Sequence, residues 1–313
     1  MNKVEVRQIE KSVSFGLLEA VGSTPLAEIL NLNLYRKQGV RIFAKAEWLN
    51  PTGSVKDRPA ANIIRIALEA GALKTGVCLL DSTSGNMGIS YAAFAGSLGI
   101  PVTLVIPASA SQERFVILEL LGADLVLSDA LEGSDGAIQL AKKMADENPG
   151  WFYADQYNNE ANWQAHYRTT GPEIWEQTRG EVTHFVAGLG TTGTLMGAGR
   201  FLREQNPDIK IIGFQPDSPF HGLEGLKHMP SAIKPGFYDP DFADEVIEVS
   251  TEESYDLTRK LASKEGMFLG VSSGAALVAS LSIASQLTQA TIVTLFPDAG
   301  FKYLSESFWG FEK

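Results

Sequence analysis

Short apolar runs alternate with longer stretches of helical period along most of the chain. The runs VRIFAKAEW (40–48), VCLLDS (77–82), VTLVIP (102–107), DLVLSD (124–129) and WFYADQ (151–156) read as strands in the first half. HFVAGL (184–189), IKIIGFQ (209–215), EVIEVS (245–250), MFLGVS (267–272) and TIVTLFP (291–297) continue the series. Several are apolar at successive positions, the pattern of strands covered by helices on both faces. Between them, SVKDRPAANIIRIALEAG and SYDLTRKLASKEG carry helical spacing and stop at glycine. Repeated strand–helix alternation predicts an α/β protein with mostly parallel sheets. About ten strands exceed what one open sheet usually holds, so the pattern predicts two sheets and two domains. The longest stretch without either period is 216–242. A loop of that length inside a compact domain is usually functional or flexible.

Composition narrows the function. The 313 residues are 44% hydrophobic and 20% charged, as in a globular protein. The 26 basic and 37 acidic residues leave a net charge of −11, which argues against nucleic acid or an anionic membrane as partner. A small anion is still accommodated, because a few backbone N–H groups suffice. One cysteine, Cys78, excludes a disulfide framework within the chain and fits a reducing compartment. Its position inside GVCLLDS reads as a small core residue. The start, MNKVEVRQIEKSVSF, has no apolar signal core, and no apolar run reaches membrane-spanning length. A cytoplasmic protein is the expectation.

Three loops leave a strand, carry glycine or small hydroxyl residues, and open a helix. In open α/β sheets such loops bind ligands. In NPTGSVKDRPA (50–60), Ser54 reads as a helix N-cap and Asp57 completes a capping-box pattern. Lys56 then falls in the first helical turn, where the helix dipole disfavours an ammonium and favours a nucleophilic amine. In DSTSGNMGIS (81–90), Ser82, Thr83, Ser84 and Asn86 gather short polar side chains beside Gly85 and Gly88, a nest suited to a carboxylate. In GLGTTG (188–193), the letters fit a dinucleotide fingerprint. The acidic residue expected for ribose is offset, at Asp217, and Thr191, Thr192 and Thr194 fit a terminal phosphate better.

Taken in order along the chain, these loops resemble the cysteine synthase (O-acetylserine sulfhydrylase) family, B-type-like. That family lies in the fold type II, tryptophan synthase β-like group of pyridoxal-phosphate enzymes. GSTPL (22–26), NPTGSVKDR, STSGNMGI, DQYNN, TTGPEIW, GLGTTGTLMG and GVSSGAA carry the resemblance. It implies two three-layer α/β domains, a smaller mobile one over 48–166 and a larger one combining 1–47 with 167–313. It implies pyridoxal 5′-phosphate as cofactor, joined to Lys56 as a Schiff base. Asn86 would meet the ring hydroxyl, and Gly190, Thr191, Thr192, Gly193 and Thr194 would cradle the phosphate. Ser272 would meet the pyridine nitrogen. Thr83, Ser84, Asn86, Met87 and Gln156 would receive the substrate carboxylate, Met87 through its backbone only, since it stands where the family pattern has threonine. No metal is implied.

The implied reaction is a β-replacement. O-acetyl-L-serine loses acetate to leave an aminoacrylate, and sulfide adds to give L-cysteine. O-phosphoserine is the nearest rival substrate, because His221, Lys227 and His228 in the 216–242 loop could meet its phosphate. Cystathionine β-synthase shares the motifs. A catalytically silent homologue acting through serine acetyltransferase is the reading from a different class. A homodimer is implied, with no nucleic acid or membrane partner.

Overall fold

The computed structural model describes residues 16–83 and 85–310. Its strands are β1 (Leu26–Glu28), β2 (Val40–Ala46), β3 (Leu79–Ser82), β4 (Val102–Pro107), β5 (Asp124–Ser128) and β6 (Phe152–Tyr153), then β7 (His184–Gly188), β8 (Lys210–Pro216), β9 (Glu245–Val249) and β10 (Ala290–Phe296). The α-helices are α1 (Asp57–Glu69), α2 (Asn86–Ser97), α3 (Gln112–Leu120), α4 (Gly133–Glu147), α5 (Ala161–Arg168), α6 (Thr170–Gln177), α7 (Gly193–Gln205), α8 (Thr251–Lys260) and α9 (Val271–Ala284). The strands form two sheets, in the orders β1-β2-β10-β7-β8-β9 and β5-β4-β3-β6. Every pairing is parallel except that of β1 with β2.

Each sheet is the middle layer of three, and the period of two along its strands divides the core. In the larger sheet Ile42, Val186, Ile212 and Ile292 pack with α9 on one face. Their neighbours Phe185, Ile211 and Val293 pack with α7 on the other. In the smaller sheet Leu79 and Leu104 face α1 and α2, while Leu80 and Val105 face α4. Side chains such as Phe94 and Phe185 are fully buried, each worth roughly 1.5–3 kcal/mol of transfer free energy. Cys78 is a free, buried core residue, its Sγ 3.2 Å from the Thr103 hydroxyl. Among the described residues no helix is long and apolar enough to cross a membrane.

Two local expectations are corrected. MFLGVS (267–272) is not a strand: Leu269 makes a single antiparallel bridge to Ala299, and Val271 already opens α9. A six-residue apolar run has too little period to separate a strand from the buried start of a helix. The short edge strand β1, after Pro25, has only partly buried residues, and its sequence carries no strand signal. The capping box at Ser54 is also absent. Lys56 is the residue preceding α1, and Asp57 instead accepts the Thr52 N–H at 2.7 Å and the hydroxyls of Thr52 and Ser90. Thr52 wins because the turn at Gly53 folds it back over the helix start.

Candidate active site

A cavity of about 590 Å³, well within the range of small-ligand sites, opens at the carboxyl ends of β3, β4, β7, β8 and β10. Lys56, Thr83, Asn86, Met87, Gln156, Gly190, Thr191, Thr192, Gly193, Thr194 and Ser272 all line it. Ser84 lies outside the described residues. Asp217 is exposed past the end of β8 and does not line the cavity, which removes the ribose contact a dinucleotide needs.

The lysine loop delivers Lys56 to the cavity at the start of α1. Among the described residues no hydrogen bond or ion pair engages its Nζ. Burial lowers its ammonium below the ordinary value, while the Asp298 charge pulls the other way. The direction matches the sequence expectation, but loss of water is the main cause. The amine is therefore unencumbered, and burial favours its neutral, nucleophilic form.

The loop after β3 is built to present donors. The Thr83 hydroxyl oxygen accepts the N–H groups of Gly85 (2.9 Å) and Gly88 (3.1 Å), which leaves its own proton for a ligand. Gly85 has φ +149°, and a Cβ there would overlap the buried Arg114 side chain, so only glycine fits. Asn86 is held at both ends of its amide: Nδ2 donates to Asp298 at 2.6 Å, and Oδ1 accepts from Lys302 at 2.8 Å. One Nδ2 proton remains. Met87 packs in the core of the smaller sheet, so its thioether serves packing. Gln156 donates through Nε2 to the Ser82 carbonyl at 2.6 Å, tying the β6 end to this loop.

Beneath it sits Asp81, fully buried, which accepts the N–H groups of Ser82 (2.8 Å) and Gln156 (3.3 Å). Burial raises its carboxyl to about 8; the Ser82 hydrogen bond opposes the rise, and Asp155 adds to it. A raised acid holds its proton in the folded state, so the stability it contributes is lost as pH climbs toward 8. His166 works in the opposite sense: burial, then the Arg58 charge, lowers it to about 3, so its contribution is complete above its ordinary 6.5. Between pH 6.5 and 8, then, Asp81 alone of these two changes protonation. Urea unfolding is expected to show wild type losing stability relative to Asp81→Asn over this window, by on the order of 2 kcal/mol. A constant gap would show that Asp81 does not titrate there.

The glycine loop after β7 makes an anion cradle. A Cβ on Gly190 would overlap the Gly225 carbonyl oxygen, so the 216–242 loop closes directly over this backbone. Thr192 takes φ +65° at the start of α7, and its hydroxyl is buried with no partner among the described residues. The Thr194 hydroxyl lies 3.3 Å from His166 Nε2, whose Nδ1 is 2.9 Å from Thr170. The first helical hydrogen bond is Met196 to Thr192, and the Gly193 N–H donates to Thr191 Oγ1 at 3.4 Å, which leaves the other amides of the helix start for a ligand. Ser272 stands at the start of α9, its hydroxyl without a partner among the described residues. An unpaired amine, an orphaned hydroxyl in a helix-start cradle and a free neutral hydroxyl fit the aldehyde, phosphate and pyridine nitrogen of pyridoxal phosphate.

Apart from Lys56, the lysine and arginine side chains that line the cavity are already matched. Lys227 pairs with Asp135 at 2.5 Å, and Arg114 pairs with Glu224. His221 is lowered by burial and accepts the Leu223 N–H, and His228 bonds the Ser231 hydroxyl.

Sequence reasoning missed a charged network under the lysine loop. Arg58 is 2% exposed and binds Glu47 (2.7 and 2.8 Å) and Glu173 (2.7 and 2.8 Å). Lys45 completes it with Glu173 at 2.6 Å, giving two cations to two carboxylates. Burial alone would raise Glu47, but Arg58 overrides it and holds the carboxyl at about 2. His166, Asp298 and Lys302 were missed as well. Each lies far in sequence from the residue it supports, so no local pattern marks them.

Known proteins share this architecture. The chain is 50% identical over 295 residues to a cysteine synthase of Aquifex aeolicus, covering 92% of this chain and 90% of the relative. It is 40% identical to cysteine synthase B of Escherichia coli, over 95% and 96% of the two chains. The solved cysteine synthase of Entamoeba histolytica superposes with a TM-score of 0.89 at 35% identity, covering all of this chain and 95% of that one. The family model for pyridoxal-phosphate dependent enzymes matches residues 17–298, and the chain, with its lysine, glycine-cradle and serine sites on one cavity, belongs to that family.

Proposed function

We propose that this enzyme makes L-cysteine from O-acetyl-L-serine and a sulfur donor, sulfide. The observation that supports it best is the meeting of Lys56, the Thr83–Gln156 donor set, the 190–194 cradle and Ser272 on one cavity. Bound there, pyridoxal phosphate supplies an electron-accepting ring that lowers the cost of losing the proton at the substrate's Cα. Gly190, Thr191, Thr192, Gly193 and Thr194 would hold its phosphate, Asn86 its ring hydroxyl, Ser272 its ring nitrogen and Lys56 its aldehyde carbon.

This chain's residues do the rest. The Thr83 hydroxyl, the Gln156 amide, Ser84 and the backbone N–H groups of Asn86 and Met87 orient the amino-acid carboxylate. Lys56, partly stripped of water, takes the Cα proton as the acetate leaves Cβ, and returns it after sulfide has added there. A neutral hydroxyl at Ser272 leaves the ring a weaker electron sink than an acid would, which suits elimination and replacement at Cβ. Pro219, His221 and Gly225 of the 216–242 loop form part of the cavity wall. We place the domain border near residues 48 and 166, with the smaller domain closing over substrate, and the enzyme as a cytoplasmic homodimer with serine acetyltransferase as a candidate partner.

The matched cations favour a substrate whose ester group carries no charge, as in O-acetylserine. A phosphate dianion from O-phosphoserine would have to break the Lys227–Asp135 or Arg114–Glu224 pair to find a counter-charge. Steady-state assays with sulfide, with products identified by mass, are expected to give cysteine from O-acetylserine with kcat/KM about tenfold or more above that from O-phosphoserine. Preference for O-phosphoserine would overturn the substrate assignment. No product from either with sulfide, thiosulfate or a thiocarboxylate would overturn the reaction.

A further inference from the structure

The segment PDAGFKY (297–303) closes the catalytic half of the fold without a part in the reaction described above, yet it reaches the cavity from behind. The N–H of Val55 donates to the Pro297 carbonyl at 2.8 Å, and Ser54 bridges to Asp298, so backbone pairing fixes Asp298 beside the lysine loop. Asp298 is 1% exposed. Its Oδ2 accepts from Asn86 Nδ2 and from the Tyr303 hydroxyl, both at 2.6 Å. Its Oδ1 is buried with no partner among the described residues. Among the described residues its direct partners are the two hydrogen-bond donors on Oδ2, and Lys302, Arg114 and Lys56 are the cations that its charge reaches.

We propose that Asp298 is a positioning residue that sets the charge of the Lys56 nitrogen and at the same time fixes the Asn86 amide. The inference rests on the reading of Lys56 as the cofactor-bearing lysine. Its physical basis is a contest at one nitrogen. Burial drives Lys56 toward the neutral amine, and the Asp298 charge is the influence that opposes it. Without that charge the nitrogen would give up its proton at lower pH, both as a free amine and while bonded to the cofactor. With it, the nitrogen can carry positive charge when the cofactor is loaded and still release it as a base. The carboxylate acts through space, since no hydrogen bond or ion pair joins the two groups among the described residues.

The other charged groups facing the pair are Lys302, Asp57, Arg114, Tyr303 and His166. Tyr303 is raised by burial and by Asp298, so it stays protonated. His166 stays neutral down to about 3. Arg114 stacks over the Tyr303 ring at 4.8 Å and remains charged. Lys302, lowered by burial with Asp298 and Asp57 opposing, and Asp57, raised by burial, are the neighbours that could mimic the effect.

The test uses holoenzyme and reads the visible absorbance of the lysine-bound cofactor against pH. In Asp298→Asn the alkaline loss of that band is expected to move to lower pH, or to enter the accessible range if wild type never loses it. The acid limb of kcat is expected to move the same way, since Lys56 must be neutral to take a proton. The same displacement in a Lys302→Met background assigns it to Asp298; its disappearance there overturns the proposal in favour of Lys302. Asp298→Ser, which keeps an acceptor without charge, replaces the asparagine variant if the latter does not fold. A folded, cofactor-loaded variant with the wild-type pH profile overturns the proposal. A Lys56→Ala protein that keeps the band would instead overturn the lysine assignment, so the two failures are distinct.

Discussion

Lys56→Ala is expected to lose the visible band of the bound cofactor and to lower turnover of O-acetylserine by roughly 10³-fold or more, since the proposed chemistry asks one side chain for both the covalent attachment and the proton acceptor. The structure makes this a clean substitution. Lys56 Nζ has no hydrogen bond or ion pair among the described residues, and burial of its ammonium is unfavourable. Its removal is therefore expected to leave the unfolding midpoint of cofactor-free protein unchanged or slightly raised. The vacated volume stays joined to the cavity, so a small primary amine in solution is expected to restore part of the turnover. Spectra, steady-state rates and thermal melts on one preparation check all three. Full activity in the alanine variant would remove Lys56 from the chemistry.

The second large effect is on stability. Arg58→Met is expected to destabilise the fold by about 3–5 kcal/mol, because Glu47 and Glu173 would keep their charges in a dehydrated site with Lys45 as the remaining cation. In a chain of this size that corresponds to a fall in Tm on the order of 10 °C. Removing a matched pair should cost less than removing one member. Arg58→Met with Glu47→Met is thus expected to be milder than the sum of the two single changes, the signature of direct coupling. The network has a catalytic consequence too. Arg58 lies two residues after Lys56 at the start of α1 and grips α6 through Glu173, so a loosened network also loosens the placement of the amine. Additive losses in urea unfolding would show that these groups do not act as a unit.

Much of the site was legible in the chain because its parts are local. A glycine loop between a strand and a helix, as at 188–193, specifies its own turn and its own anion-binding N-terminus within a few residues. The hydroxyl-rich run 82–86 and the lysine loop 50–58 are likewise complete over short spans. Errors arose where a local pattern had a competitor. Ser54 and Asp57 match a capping box, but Thr52, folded back by the turn at Gly53, takes the Asp57 carboxylate. MFLGVS has strand-like residues, but Gly270 lies against Asp298 and Tyr303, and α9 starts at the next position.

The sequence by itself determined the α/β class, the need for two sheets, and the three glycine- and hydroxyl-bearing loops with their order, because hydrophobic period and turn chemistry act between near neighbours. Tertiary structure alone decided the rest. Asn86 meets Asp298 across 212 positions of chain, and Lys302 reaches it across 216. The Arg58 network joins residues from three separate segments, and the ion pairs that neutralise Lys227 and Arg114 cross from the 216–242 loop to α4 and α3. Whether a buried charge is matched, and hence whether it can serve a ligand, depends on register and packing between distant elements. No window of sequence contains both partners.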